Sequence, residues 1–513
     1  MKAFSLIISC CGLLLPFSLK SQPPIEWEYN YGGSQYESGN GIIQNAAKEF
    51  IMCSVAHSSD NDVSGNHGNS DYWLVRLDSD GVMLNQKCIG GSGYDDGRSV
   101  IPVSTGGYVF LGAGGSGDGD QSGNWGNSYD YWIVKTDESF NIIWETNLGG
   151  NDFDVPYGVT ETYDGGFVIA GLSRSSDGNV SANYGEEDYW IVKVDSAGNL
   201  LWEKNFGGSD FDEARAVIEL VDHSLIIAGF SSSSDGDVVT PKGNQDFWVL
   251  RLNEFGAFVW AFNYGGAATD IATALIEDIT GNIMILGETG SVNGDVSFNH
   301  GYSDFWLIQI NPEGLLLWEK SYGGTNLEVP TSIMQTSDSG FVMAGRSKSS
   351  DGDVSSNQGM EDYWIVKTDH DGNLEWEKAV GGSLNDGAEC VIQTADTGYA
   401  VVGYTESSNG DISGNNYGIA DSWVVKLHEP PVIGMKDIST DYLYKLYPNP
   451  AHNEIYLNSS IQKIKIFDLA GALILNEQNL NNKVDITEFQ SGTYIAELCG
   501  RNGRVKRVKL IKY

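Results

Sequence analysis

The sequence predicts an all-β fold, a seven-bladed β-propeller, because one stretch of about 58 residues recurs seven times along most of the chain. Each copy holds a Gly-Gly pair, an Asp-x-Trp triplet and four short apolar runs separated by turn-forming residues. No helical periodicity is present. Such copies are expected to form four-stranded sheets packed side by side around an axis. The pairs are Gly32-Gly33, Gly90-Gly91, Gly149-Gly150, Gly207-Gly208, Gly265-Gly266, Gly323-Gly324 and Gly381-Gly382, and the triplets begin at Asp71, Asp130, Asp188, Asp246, Asp304, Asp362 and Asp421.

One copy shows how the four strands are placed. Its candidate strands are Ala214–Leu220, Ser224–Phe230, Asp246–Leu252 and Phe258–Tyr264. Each run is short, rich in apolar and β-branched residues, and bounded by Gly, Asp, Asn or Ser. We expect the four runs to pair in sequence order as one antiparallel sheet.

The seventh copy lacks a fourth strand, and the N-terminus offers one. Its third run ends at Leu427, and the chain then reaches Pro430-Pro431. Residues Ile25–Gly33 match the fourth-strand segment Leu317–Gly324 almost residue for residue. We therefore expect the N-terminal strand to complete the seventh sheet, which removes two open sheet edges.

The turn between the third and fourth strands has its own signature. The pattern of Asp195, Gly198 and Trp202 recurs with Gly372 and Trp376, and with Asn in place of Asp in two further copies. It resembles the tryptophan-docking repeat of quinoprotein-like propellers, over this turn and the fourth strand. The resemblance implies Trp packing between neighbouring blades. No quinone cofactor is expected, because the mature chain lacks adjacent cysteines and those enzymes usually have eight units.

Residues 1–21 are predicted to be a secretory signal peptide. The segment Phe4–Leu19 is apolar, follows Lys2, and gives way to a polar run that includes Ser21, after which we expect cleavage. Lipid attachment at Cys10 is the alternative, since the three residues before it resemble a lipobox. No other stretch is apolar for long enough to span a membrane.

The charge of the chain is strongly negative and unevenly spread. Since residues 446–513 carry +3 and the first 22 residues +2, a total of −39 leaves −44 on residues 23–445. Such a field repels nucleic acids and anionic membrane surfaces and attracts cations. Nucleic-acid and membrane-surface binding are therefore excluded as functions.

A separate C-terminal module follows the repeats. With residues 22–428 as the propeller, residues 429–445 are predicted to be a linker and residues 446–513 a small β-sandwich. The module strongly resembles the type A C-terminal sorting domain of the type IX secretion system. The motif residues that carry this resemblance, in family order, are Tyr447, Pro448, Asn449, Pro450, Gly471, Gly492 and Tyr494.

That resemblance implies a route and two partners. It implies export to the periplasm, passage through the outer-membrane translocon, and removal of the module by a sorting-domain peptidase. The protein would then be anchored at the outer cell surface or released. An ordinary C-terminal binding sandwich is the alternative interpretation of the same residues.

An acidic residue follows every Gly-Gly pair at the same distance. In a propeller this position lies near the mouth of the central channel, so the pattern predicts a ring of carboxylates there. The ring either binds a shared ligand or cation, or accepts backbone N–H groups that hold the turns between sheets. Its members are Glu37, Asp95, Asp154, Asp212, Asp270, Glu328 and Asp386.

The loops between the second and third strands are candidate calcium sites. They place oxygen-bearing side chains at positions 1, 3, 5 and 12, and the first copy resembles the EF-hand fingerprint. Position 12 is Asp rather than a bidentate Glu, and Asp, Asn and Ser also favour turns, so ordinary turn chemistry is the alternative. The candidate ligands are Asp60, Asp62, Ser64, Asp71, Asp177, Asn179, Asp188, Asp351, Asp353 and Asp362.

No catalytic arrangement emerges from the repeats. The histidines do not recur at one blade position, and no serine elbow or zinc spacing is present. The sequence therefore favours a secreted or surface-bound binding or scaffold protein for a glycan or protein ligand. The alternative is a glycan-active hydrolase or lyase that uses the acidic channel mouth, since paired carboxylates are plentiful.

Overall fold

The computed structural model describes residues 21–126, 128–429, 446–447, 451–457, 461–468, 472–478, 483–500 and 505–512. Residues 1–20 of the predicted signal peptide, residues 430–445 of the predicted linker, and the sorting-motif residues Pro448, Asn449, Pro450 and Gly471 lie outside this set. The described strands fall into two compact units, with the division after residue 431. The described residues contain no helix that could cross a membrane.

The first unit is built from seven four-stranded antiparallel sheets. Each takes its strands in sequence order, except that the seventh ends with the N-terminal strand. The strands are β1 (Ile25–Tyr31), β2 (Glu37–Gln44), β3 (Phe50–Ala56), β4 (Asp71–Leu77), β5 (Met83–Ile89), β6 (Asp95–Pro102), β7 (Tyr108–Gly114), β8 (Asp130–Thr136), β9 (Ile142–Leu148), β10 (Asp154–Glu161), β11 (Phe167–Ser173), β12 (Asp188–Val194), β13 (Leu200–Phe206), β14 (Asp212–Glu219), β15 (Leu225–Ser231), β16 (Asp246–Leu252), β17 (Phe258–Tyr264), β18 (Asp270–Glu277), β19 (Ile283–Thr289), β20 (Asp304–Ile310), β21 (Leu316–Tyr322), β22 (Glu328–Gln335), β23 (Phe341–Ser347), β24 (Asp362–Thr368), β25 (Leu374–Val380), β26 (Asp386–Gln393), β27 (Tyr399–Thr405) and β28 (Asp421–Leu427).

The first strand of each sheet is the innermost one. β2, β6, β10, β14, β18, β22 and β26 each contact the next member of this series, and β26 contacts β2. The second and third strands are buried almost throughout and carry the core, whereas the fourth strands are partly exposed. The middle two strands of each sheet therefore contribute most of its core.

The seventh sheet takes the order β26-β27-β28-β1, as the sequence predicted. β1 pairs antiparallel with β28, with Glu28 opposite Val425. The Trp423 indole N–H donates to Glu28 Oε2 over 2.7 Å, which repeats the 2.9 Å bond from Trp306 to Glu319 inside a single copy. The N-terminal strand thus supplies both the backbone ladder and the side-chain partner that the seventh copy lacks.

Aromatic side chains join each sheet to the next, as the tryptophan-docking resemblance implied. The Trp144 indole N–H donates to the Ser196 carbonyl over 3.1 Å, and its ring leaves no room for a Cβ on Gly198 of the following sheet. Between the third strands of the same two sheets, the Tyr131 ring lies 4.5 Å from the Trp190 ring, and the Tyr131 hydroxyl donates to the Trp190 carbonyl. The recurring tryptophans of the Asp-x-Trp triplets are fully buried.

The second unit is a small two-sheet sandwich. Its sheets have the orders β29-β30-β33 and β32-β31-β34-β35, around a core that includes Ile455, Ile464, Ala496 and Leu510. The bounds are β29 (Leu446–Tyr447), β30 (Glu454–Leu457), β31 (Ile461–Phe467), β32 (Leu473–Gln478), β33 (Lys483–Asp485), β34 (Gly492–Gly500) and β35 (Val505–Lys512).

Candidate functional site at the centre of the seven sheets

A pocket of about 530 Å³ lies at the centre of the first unit, and all seven innermost strands contribute to its wall. Because each innermost strand offers at most three side chains, the wall is a composite of seven different copies. Its lining residues are Tyr36, Ser38, Asn40, Val55, His57, Asp96, Arg98, Tyr157, Arg215, Thr273, Val329, Pro330, Thr331, Arg346 and Glu389.

A β-bulge aims one side chain of every innermost strand into the pocket. In each of these strands the register shifts on either side of the fourth residue, which has no partner on the second strand. A bulge bends the strand and redirects the extra side chain. The seven fourth residues are Asn40, Arg98, Tyr157, Arg215, Thr273, Thr331 and Glu389, and every one of them lines the pocket.

This lining position breaks the repeat. The first residue of each innermost strand is always acidic, and the third is always Gly, Ala or Pro. The fourth position instead holds an amide, two arginines, an aromatic ring, two hydroxyls and a carboxylate. A position that varies between strictly repeated ones and faces a shared pocket is where a symmetric scaffold can acquire a specific function.

The arginines of the pocket differ in how they are paired. Arg215 forms an ion pair with Glu213, and Arg346 lies 3.4 Å from Glu361. In the described part of the chain, Arg98 has no hydrogen-bond or ion-pair partner, and its Nε is buried. The guanidinium carbons of Arg98 and Arg215 lie 4.8 and 4.1 Å from the centre of the Tyr157 ring. Cation–π contacts with one ring therefore orient both groups.

Glu389 is the pocket residue whose acidity changes most. Burial raises its pKa to about 7, although the charges of Arg346 and Arg98 act in the opposite direction. One Glu389 oxygen lies 4.0 Å from Arg346. The carboxyl group therefore exchanges a proton near neutral pH, the range in which a general acid or base works best.

None of the seven carboxylates of the predicted acidic ring lines this pocket. Each is the first residue of its strand, three positions before the bulged residue that faces the pocket. In the typical case of Asp95, Oδ2 accepts the Gly91 N–H over 2.8 Å and the Ser116 hydroxyl over 2.7 Å. Glu37, Asp154, Asp212, Asp270, Glu328 and Asp386 bind the second Gly of their own turns over 2.7 Å and are likewise fully buried.

These carboxylates accept backbone N–H groups of the turns between sheets, which is the second of the two interpretations of the acidic ring. A second carboxylate lies nearby, which the sequence did not suggest. A Cβ on Gly90 would lie 2.6 Å from Asp71 Oδ1 and 2.8 Å from Asp95 Oδ2, so only glycine leaves room for both groups. The same pairing of an Asp-x-Trp carboxylate with a turn carboxylate recurs at all seven junctions.

The candidate calcium ligands point at two different turns. Asp60 accepts the Ser34 N–H over 2.8 Å and Asp62 the Gly32 N–H over 3.3 Å, whereas Asp71 accepts the His67 N–H. Ser64 accepts a hydrogen bond from Gln86. Asp177, Asn179 and Asp188, and Asp351, Asp353 and Asp362, repeat the carboxylate and amide contacts.

Within the described residues, no three His, Cys, Asp or Glu side chains are placed to hold a metal ion. The side chains at loop positions 1 and 3 hydrogen-bond to the preceding Gly-Gly turn, whereas the side chain at position 12 lies beside the following one. The 12-residue spacing therefore does not bring these oxygen atoms together around one point. Calcium at these loops stays a prediction.

Sequence reasoning missed the pocket residues Arg98, Tyr157, Arg215 and Glu389. These residues could have been found by comparing the seven copies for strand positions that differ, rather than for positions that recur. Finding them also requires the bulge register, which decides whether the third, fourth or fifth residue of the strand faces inward. No local pattern in the sequence specifies that register.

The C-terminal module matches a known family. Residues 445–513 match the secretion system C-terminal sorting domain. The module is therefore a type IX sorting domain, as predicted, and the protein is exported to the cell surface or secreted. In the described residues, Tyr494 donates its hydroxyl to the Gln490 carbonyl over 2.8 Å and so holds the start of β34.

Similarity to other proteins over the repeats is remote. The regulatory protein FlaEY of Caulobacter vibrioides is 29% identical over 176 residues, and the match spans 30% of this chain and 18% of that protein. PorZ, a surface component of the type IX secretion system of Porphyromonas gingivalis, aligns with 96% of this chain and 61% of its own, at 10% identity and a TM-score of 0.38. The WD40 domain of Neurospora crassa Pan2 aligns with 77% of this chain and 90% of its own, at 11% identity and a TM-score of 0.42.

Proposed function

We propose that the exported protein is a binding module that holds a glycan in the pocket at the centre of its seven sheets. One observation carries this proposal. The bulged fourth residues, which all line the pocket, differ from one another, while the first and third residues of the same strands repeat. A scaffold or spacer does not need such a variety of charged, polar and aromatic side chains around its central pocket.

The chemistry of the wall suits a sugar. The ring of Tyr36 offers an apolar surface for a pyranose, and the side chains of Asn40, Asp96 and Thr331 offer polar atoms for its hydroxyls. A volume of about 530 Å³ falls within the range of small-ligand pockets. A protein ligand would have to insert a side chain or chain end into the same space.

Blocking the pocket should abolish binding without unfolding the protein. Thr273 lines the pocket, so Thr273→Trp should fill it and reduce glycan binding at least tenfold on an array and in calorimetry. Ala47 lies in the exposed hairpin between β2 and β3, so Ala47→Trp is a matched control that should bind as the unmodified chain does. Equal binding by both variants would place the ligand site elsewhere.

A glycan-active enzyme is the second candidate, favoured by the pKa of about 7 at Glu389. A carboxyl group poised near neutral pH can donate a proton to a leaving oxygen or accept one from a sugar carbon. Incubation of bound oligosaccharides with the chain, followed by chromatography, distinguishes the two functions. Products that disappear with Glu389→Gln would establish the enzyme, and intact oligosaccharide supports the binding module.

The sorting domain should be absent from the exported protein. Since its family directs export and is then removed, intact mass spectrometry of the surface or secreted form should show a C-terminus near Lys445. A chain truncated after that residue should instead remain in the periplasm. Retention of Tyr513 on the exported protein would contradict removal.

A further inference from the structure

The pocket concentrates positive charge in a negatively charged chain. Residues 23–445 carry −44, yet three of the six arginines between residues 22 and 428 line this one pocket. Three cations that share one pocket repel one another and lose hydration, which costs free energy unless anions compensate. The compensation within the protein is incomplete, as the pairing of each arginine shows.

Arg98 is the pocket arginine that has no ion-pair partner among the described residues. Glu213 pairs with Arg215, and Glu361 pairs with Arg346, whereas no described carboxylate forms an ion pair with Arg98. Asp96 lies in the same strand, but its Oδ1 accepts the Ser70 hydroxyl over 2.9 Å. The half-buried Arg98 side chain lies against the Tyr157 ring, and its buried Nε–H has no acceptor among the described residues. The charge of Glu389 acts on Arg98 without forming an ion pair with it.

A carboxylate is the group that fits this unpaired guanidinium. The planar guanidinium presents parallel N–H groups that bind a carboxylate in a bidentate way, and such charge-assisted pairs are about twice as strong as neutral hydrogen bonds. The Tyr157 ring already fixes the guanidinium, so little side-chain entropy is lost on binding. Arg215 lies against the same ring and adds a second positive charge near the ligand.

We infer that the pocket binds an acidic sugar residue and that Arg98 receives its carboxylate. The inference rests on the proposed glycan-binding function and specifies the ligand class. Asp96 and Glu389 then accept hydrogen bonds from the hydroxyl groups of the same sugar. The negative field of the remaining surface does not prevent this, because the screening length is about 8 Å at physiological ionic strength.

Paired glycans test the inference. The full chain is applied to an array that holds uronic-acid oligosaccharides, their carboxyl-reduced neutral forms and sulfated oligosaccharides, and the best pair is then titrated by calorimetry. We expect the carboxylated form to bind roughly ten- to a hundredfold more tightly than its reduced form. Arg98→Met should remove this difference between the two forms, and Arg98→Lys should restore part of it.

Arg76 provides the matched control, because it does not line the pocket, and Arg76→Met should keep the full preference. Equal affinity of the unmodified chain for the carboxylated and reduced forms would overturn the inference and leave glycan binding intact. So would a preference for sulfated forms, or an Arg98→Met variant that melts normally and keeps the preference. No binding to any glycan would overturn the proposed function as well.

Discussion

Deletion of residues 25–31 should lower the free energy of unfolding of the propeller by about 5 kcal/mol or more. The deletion removes a whole strand, the buried ring of Tyr31 and the Glu28 partner of Trp423. It also exposes the edge of β28 and removes the packing of Trp27 against Gly81 of the first sheet. Since typical domains are stable by only 5–15 kcal/mol, thermal and denaturant melts should shift markedly or show a partly unfolded protein.

A peptide added in trans provides the control. The peptide of residues 25–33 should restore the melting temperature of the truncated chain in a concentration-dependent way, because it binds only the folded form. The same peptide with Tyr31→Ala should restore much less. A truncated chain that melts like the intact one would show that β1 does not stabilise the seventh sheet.

The sequence allowed most of the strand pattern to be predicted, for a physical reason that one sheet illustrates. β16 and β17 begin and end at the predicted residues, because both are bounded by turn signals at a fixed distance from the Trp of the triplet. β14 starts two residues earlier than predicted, at Asp212. The apolar pattern of the strand does not include the polar residue Asp212, whose side chain is nevertheless buried and hydrogen-bonded.

The site was far less predictable than the fold. The repeat drew attention to the recurring acidic residues. A residue that stabilises the scaffold is expected to recur at every junction between sheets, so recurrence alone does not indicate a binding site. Only one other copy has an arginine at the position of Arg98, namely Arg215. Nothing in the local sequence distinguishes Arg98 from an exposed strand residue. Its inward direction results from a bulge that becomes visible only when the partner strand is in place.

The stability of the propeller should fall as the pH rises from about 4 to 8, because the carboxyl groups of the Asp-x-Trp triplets are buried beside a second carboxylate. Burial is the main cause and the neighbouring charge adds to it, so the pKa rises to about 6 at Asp71, about 8 at Asp130 and about 7 at Asp188. At each triplet the Oδ1 atom has no hydrogen-bond partner among the described residues.

The sign follows from proton binding. A folded-state pKa above the unfolded value means that the folded state holds more protons between those two values, so the free energy of unfolding decreases across that window. Asp164 and Asp338 act in the opposite direction. Burial tends to raise their pKa, but hydrogen bonds from Lys193, Thr162 and Thr336 and the charge of Lys367 prevail and lower it to about 2. Their stabilisation is lost only below about pH 4, so melting temperature should be highest near pH 4–5.

Asp130→Asn isolates one of these groups. The amide oxygen can still accept the Trp125 N–H, and the amide nitrogen can donate to Asp154, so a repulsive contact becomes a hydrogen bond. At pH 8 the variant should be more stable than the unmodified chain by about 1 kcal/mol, since one pKa unit corresponds to ~1.4 kcal/mol. At pH 5 the difference should shrink, because Asp130 is then protonated in the folded protein and is uncharged there, as the amide is. Asp152→Asn, at an exposed position in the same junction, should leave the pH dependence unchanged.

Two results would contradict this account: a gain in stability of the unmodified chain from pH 5 to 8, or a loss of stability in Asp130→Asn at both pH values. Either result would mean that the paired carboxylates are ionised in the folded protein and that a bound cation compensates their charge.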